Sequence, residues 1–167
     1  LVFYPFSPRA VTPARAAELA RKVPETVSRV GLFVDPTDTE IDAVLAEVPL
    51  ELLQLHGNEA PTRVAEIRRR TGLMTMKVIS VADESDFACA NAYLDVADWL
   101  MFDAKPPKDM ANALPGGNAL SFEWRLLSGR SWNLPWMLAG GLDVGNVGDA
   151  VHLSGAAVVD TSSGVED

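Results

Sequence analysis

The sequence predicts an α/β fold: a parallel (β/α)₈ TIM barrel that lacks its first βα unit and its final helix. Three observations lead there. Short apolar β-like runs begin near residues 1, 28, 52, 74, 99, 136 and 157, with amphipathic helical stretches between them. Steps of roughly 20–37 residues are the rhythm of parallel βαβ units. The count of seven is one short of the eight strands that close such a barrel. The chain also opens inside a strand and stops just after a strand-to-helix loop, and its 167 residues fall below the about 200–250 usual for the class. An open doubly wound sheet is the competing topology. No linker, low-complexity segment or composition shift divides the chain, so one partial barrel domain over residues 1–167 is expected.

The elements follow in order. Residues 1–4 form the first strand, and a loop with two prolines leads to a helix over 13–22. Thr12 is the expected N-cap, with Pro13 at the first helical position. Residues 28–34 are the next strand. The helix over 37–47 follows, with Ile41, Val44, Leu45 and Val48 at helical spacing. A strand at 52–55 leads to a helix over 60–71, closed by Gly72 as the residue beyond its end. Strand 74–79, helix 84–93 and strand 99–103 come next. A long Pro/Gly loop runs from 104 to about 120, with a short helix near 124–127. Strands 136–139 and 157–160 flank a helix over 144–153.

Composition narrows the function. With 48% hydrophobic and 22% charged residues, the chain suits one soluble globular domain. No apolar run approaches the ~18 residues that span a bilayer, and no signal-peptide pattern stands at the start. One cysteine, Cys89, excludes an internal disulfide framework and fits a reducing, cytoplasmic setting. Fourteen basic against 23 acidic residues give a net charge of −9. Without a Lys/Arg stripe, neither nucleic acid nor a membrane is an expected partner. A phosphorylated small molecule remains open, because backbone N–H groups can hold a phosphate.

In a parallel α/β protein, chemistry sits at the C-terminal ends of the strands. The polar residues there are Ser7, Arg9, Asp35, Gln54, His56, Lys77, Ser80, Asp103, Lys105, Gly140, Gly141, Asp160, Ser162, Ser163 and Gly164. Several have plain structural readings. Arg9 reads equally as a solvated loop charge, His56 as a satisfied structural histidine, and Lys77 as the partner of a carboxylate inside the barrel. Cys89 reads as mid-helix packing. Asp103 is sharper, since it ends the apolar strand WLMFDAK. There desolvation raises a carboxyl pKa and makes it usable as an acid; the alternative is an ion pair with Lys105 or Lys77. Gly140 and Gly141 in LAGGLD, with Ser162, Ser163 and Gly164 in DTSSGVE, suggest a phosphate site after the last two strands. The segment PGGNALSFEW sits in the long loop, and a loop of that length is often a functional lid.

Taken together, FYPFSPRAVTP, VGLFVD, LLQLHGNE, WLMFDAKPP, PGGNALSFEW, LAGGLDVGNV and VVDTSSGVE resemble, in order, the motifs of the phosphoribosylanthranilate isomerases. The resemblance covers essentially the whole chain, and LQLHG with DAK and SSGVE is its most specific part. It implies an Amadori rearrangement in tryptophan biosynthesis, from N-(5-phosphoribosyl)anthranilate to 1-(2-carboxyphenylamino)-1-deoxyribulose 5-phosphate, with no metal or organic cofactor. An acid protonates the furanose ring oxygen, opening the ring to a Schiff base. A base then removes the C2 proton, and the enolamine tautomerises to the ketone. By position, Asp103 matches the general acid and Arg9 the residue that holds the anthranilate carboxylate. His56 and Asp160 match residues lining the substrate site. Gly140, Gly141, Ser163 and Gly164 match the phosphate loops, and Gly116 and Gly117 are possible loop contacts.

Two departures stand out. The resemblance places the general base on a cysteine in a KxCG-type motif at the end of the first strand, which the 167 residues do not include and Cys89 does not replace. The 167-residue chain alone is therefore expected to be inactive. The long loop reads GGNA where GGTG-like sequences are common, so Asn118 and Ala119 alter it. Two alternatives remain open at this point. One is a phosphosugar-binding fragment without turnover. The other is a different barrel enzyme such as indole-glycerol-phosphate synthase, which would need a lysine–glutamate pair at strand ends; Lys77 and Lys105 are present without an evident glutamate.

Overall fold

The computed structural model describes residues 1–107, 114–118 and 120–166. Strands β1 (Val30–Phe33), β2 (Leu52–Leu55), β3 (Met74–Val81), β4 (Trp99–Ala104) and β5 (Trp136–Leu138) form one parallel sheet in strict chain order. A doubly wound sheet reverses its order at a switch point. This one does not, so it winds in a single direction as a barrel does.

The first and last expected strands flank this sheet. Phe3 N–H donates to Leu32 O (2.9 Å) and Leu32 N–H to Leu1 O (2.8 Å). On the other side, Leu138 N–H donates to Val158 O (3.0 Å) and Asp160 N–H to Leu138 O (2.7 Å). Each contributes a single bridge to the sheet, Val2 to Leu32 and Val159 to Leu138, rather than a full strand. Both bridging segments line one cavity together with β1, β2, β4 and the residues that follow β5, so the sheet curls around that space.

Helices α1 (Pro13–Ala20), α2 (Asp38–Leu45), α3 (Pro61–Thr71) and α4 (Val147–Ser154) cover the outer face. The Thr12 hydroxyl accepts from Arg15 N–H, with Pro13 opening α1 as expected. A capping box between Thr37 and Glu40 opens α2, and Gly72 in the left-handed conformation ends α3. Ile41, Val44 and Val48 are buried. Helix α4 starts three residues later than its sequence pattern suggested. The Asp143 carboxylate accepts from Gly145 and Asn146 N–H, and that turn occupies the stretch. No helix among the described residues is long and apolar enough to cross a membrane.

The segment Glu84–Tyr93 is a 3₁₀ helix, and the exposure of Cys89 on it overturns the reading of that residue as packing. At three residues per turn, Phe87 and Ala90 face inward together. Cys89 then points outward and is exposed.

Strand parity decides which side chains meet in the middle. Residues of one parity face the barrel interior: Val30, Leu52, Met76, Val78, Trp99, Met101, Met137 and Ala139 pack in one cluster. The other parity faces the helices. There Phe33, Leu53 and Leu55 pack against α1–α3, while Ile79, Leu100, Phe102 and Leu138 pack against Phe87, Leu127 and Ala150.

Candidate active site

Gln54, His56 and Asp103 share the inward parity with Leu52 and Met101, so they stand above the apolar interior at the C-terminal ends of β2 and β4. All three are buried, and all line a cavity of about 250 Å³. Gln54 Nε2 lies 3.3 Å from His56 Nδ1 and 3.5 Å from Met101 Sδ. With the amide nitrogen facing the ring, Nδ1 is the acceptor and Nε2 carries the imidazole proton. His56 Nε2 lies 3.2 Å from Asp103 Oδ2, close but out of line for a hydrogen bond, and it has no hydrogen-bond partner. A buried polar atom without a partner, aimed into a cavity, calls for a ligand.

One oxygen of Asp103 is held by the backbone. Oδ1 accepts from Ala104 N–H at 2.8 Å, leaving Oδ2 toward His56 and the cavity. Gly116 roofs the pair: a Cβ there would come within 2.3 Å of His56 Cε1 and 2.7 Å of Asp103 Oδ2. Neither Lys105 nor Lys77 pairs with Asp103, since Lys105 bonds Asp86 at 2.6 Å and Lys77 bonds Glu59 at 2.7 Å.

The rim belongs to loops. Arg9 lines the cavity and is the one Arg or Lys among its described lining residues. It is not a free loop charge: Nε and Nη2 donate to Glu166 Oε1 and Oε2, both at 2.5 Å. Gly117 lies over Arg9, with Nη1 2.8 Å from where a Cβ would stand. Asn118 staples this loop, its amide bonding Leu114 N–H (3.0 Å) and Leu114 O (2.7 Å). Ala119 and residues 108–113 of the same loop lie outside the described residues.

Gly140 and Gly141 hold positive φ of 96° and 60°, which only glycine adopts without strain. A Cβ on Gly140 would come 2.8 Å from Ala104 N, and one on Gly141 would come 2.8 Å from the Leu120 carbonyl. Among the described residues, Gly141 and Ser163 N–H donate to no protein acceptor, and both residues line the cavity. Gly164 does not line it. It packs on Leu142 and Asp143, where a Cβ would fall 2.0 Å from Leu142 O. Asp160 also lines the cavity. It keeps solvent access along the open side, yet the surrounding walls, and then the nearby Asp103 carboxylate, push its carboxyl above the usual range.

Lys77 faces a carboxylate, though not inside the barrel. Its parity turns it toward the helix layer. There Nζ donates to Glu59 Oε2 (2.7 Å), Gly57 O (2.7 Å) and Leu55 O (3.2 Å). Glu59 accepts Asp35 N–H (2.8 Å) and Gly57 N–H (3.0 Å), clamping the loop that leaves His56. Glu59 carries no periodic signal in the sequence, because it lies four residues past its strand, in a loop. Neither partner lines the cavity, so this pair does not supply the lysine–glutamate chemistry of the alternative synthase.

Comparison with known proteins bears on this geometry. The family model described as N-(5'phosphoribosyl)anthranilate (PRA) isomerase matches residues 1–167. The N-(5'-phosphoribosyl)anthranilate isomerase of Paramagnetospirillum magneticum is 61% identical over 166 residues, covering 99% of this chain and 76% of that one. That of Rhodospirillum centenum is 57% identical over 167 residues, covering 100% and 78%. The phosphoribosyl anthranilate isomerase structure from Thermotoga maritima matches with a TM-score of 0.85 at 33% identity, over 99% of this chain and 77% of that one. A phosphoribosyl anthranilate isomerase in complex with reduced 1-(o-carboxyphenylamino)-1-deoxyribulose 5-phosphate matches with a TM-score of 0.79 at 30% identity, over 99% and 75%.

Proposed function

The chain belongs to the N-(5'phosphoribosyl)anthranilate isomerase family, and we propose that its cavity binds the substrate and carries the ring-opening step of that isomerisation, with Asp103 as general acid. Its fold is the family's TIM barrel, and its function is the isomerase step of tryptophan biosynthesis. The reaction turns an aminoaldose into an aminoketose. Hydrogen moves from C2 to C1 within one molecule, with no net oxidation.

The observation that carries the assignment is Asp103 Oδ2, buried, beside the partnerless His56 Nε2, and facing the cavity. A protonated carboxyl there gives its proton to the furanose ring oxygen as the C1–O bond breaks. The His56 Nε2–H stands beside the carboxylate left behind and stabilises its charge. The substrate's other groups have separate receivers. Gly141 and Ser163 N–H, with the cradle of Gly140, receive the phosphate; Gly164 supports that loop by packing on Leu142. Arg9 receives the aromatic carboxylate by a guanidinium fork. Asp160 accepts from sugar hydroxyls, and Gly116 and Gly117 close over the bound sugar.

Asp103→Asn, made in the full-length protein that also carries the first βα unit with its general base, tests the assignment. The amide keeps the shape and loses the proton to give. Turnover, followed by the fluorescence decay of the aminoaldose, should fall by about 10²–10⁴-fold, while calorimetric affinity for the reduced product analogue stays nearly intact. Turnover close to wild type in that variant rejects Asp103 as the acid.

A further inference from the structure

We infer that Glu166 is the positioning residue for Arg9, holding its guanidinium with one edge turned to the ligand's aromatic carboxylate. The inference rests on the reading above that Arg9 receives that carboxylate.

A guanidinium has five N–H donors arranged in forks. Glu166 takes the fork formed by Nε and Nη2, one oxygen to each. Nη1 and the second Nη2 hydrogen remain as the other fork. Nη1 lies beneath Gly117, in the roof of the cavity, where the absent side chain leaves it room.

The placement of Glu166 separates a clamp from a plug. A carboxylate occupying the substrate's own place would line the cavity. Arg9 lines it and Glu166 does not, so Glu166 grips the arginine from behind. An arginine side chain free in solution samples many rotamers, and ordering it on binding costs affinity. Held in advance, Arg9 presents its second fork already aimed.

The clamp also joins the two loops that receive opposite ends of the ligand. Arg9 follows the first strand segment. Glu166 stands three residues after Ser163, on the loop proposed to take the phosphate. The two residues are 157 positions apart in the chain, so their contact ties the carboxylate end of the rim to the phosphate end.

The test is a calorimetric comparison of two probes in the full chain: reduced 1-(o-carboxyphenylamino)-1-deoxyribulose 5-phosphate, and the same compound without its ring carboxylate. Glu166→Ala should weaken the carboxylated probe roughly two- to fivefold, the scale of a partly exposed ion pair, and leave the other probe unchanged. Glu166→Gln, which retains one acceptor oxygen, should fall between wild type and Glu166→Ala. In an Arg9→Ala background, Glu166→Ala should have no further effect. Tighter binding of the carboxylated probe by Glu166→Ala makes Glu166 a plug and overturns the inference. Unchanged binding of that probe, or equal weakening of both, overturns it as well. A different result bears on the underlying reading: if Arg9→Ala fails to distinguish the two probes, Arg9 does not receive the carboxylate.

Discussion

The floor of the cavity is strand and its rim is loop. Gln54 and Asp103 stand on β2 and β4 and His56 one residue beyond β2, all three buried; Gln54 bonds the His56 ring and the Ala104 N–H holds Asp103. Arg9, Gly141, Asp160 and Ser163 stand on connections, where Arg9 and Asp160 keep solvent access. The difference separates two tasks. Proton transfer needs a desolvated, rigid donor, which alternating strand residues supply. Holding a phosphate and a carboxylate needs converging N–H groups and one oriented cation, which loops supply at the cost of exposure.

Three substitutions sharpen that contrast. The largest effect is expected beneath the floor, at Lys77. Lys77→Met strands Glu59 as a buried carboxylate without its cation, which costs about 3–5 kcal/mol of stability. Chemical denaturation measures it. Adding Glu59→Gln should recover part of the loss, because the amide oxygen still accepts the Asp35 and Gly57 N–H groups while no unpaired charge remains. A Lys77→Met protein as stable as wild type would mean that the loop carrying His56 is held by something else.

At the rim the effect should be smaller and confined to binding. Gly141→Val forces a β-branched residue to φ 60° and drives its Cβ against the Leu120 carbonyl. Strain of this kind costs about 1–3 kcal/mol. It should appear as weaker calorimetric binding of the phosphorylated analogue. Undiminished affinity would remove Gly141 from the phosphate site.

The smallest effect concerns pH. Asp160 has a raised carboxyl pKa in the folded chain, caused first by desolvation and then by Asp103. Between its ordinary and its raised value, the folded state therefore binds more protons than the unfolded state. Stability contributed by this group is present at low pH and is lost as pH climbs through that window. Asp160→Asn should flatten this part of the Tm-against-pH curve and raise Tm slightly at neutral pH. An unchanged curve would show that Asp160 titrates alike in both states.

The acid end was legible in the sequence and the rim only in part. Asp103 announced itself by ending an apolar run, and His56 by ending another. Strand parity alone puts His56 with Gln54 and Leu52, and the same rule sets Lys77 apart with Thr75 and Ile79. Applied there, it would have turned Lys77 toward the helices rather than the barrel interior. Its place within a helix does not bury Cys89, because Phe87 and Ala90 supply the inward face and leave the thiol exposed. Gly164 belonged to a recognisable loop, but its packing on Leu142 depends on how two loops meet.

By itself the sequence determined the parallel α/β order, the caps at Thr12 and Gly72, and the strand ends that carry Asp103 and His56. These rest on short-range physics: periodicity, capping and burial of one face, all written within a few residues. Only the tertiary structure decided that Glu166 grips Arg9, that Glu59 meets Lys77, and that Asp160 feels Asp103. Those contacts join residues 18 to 157 positions apart, and nothing local encodes them. The Arg9–Glu166 contact exists because the sheet curls until its first and last segments face the same space.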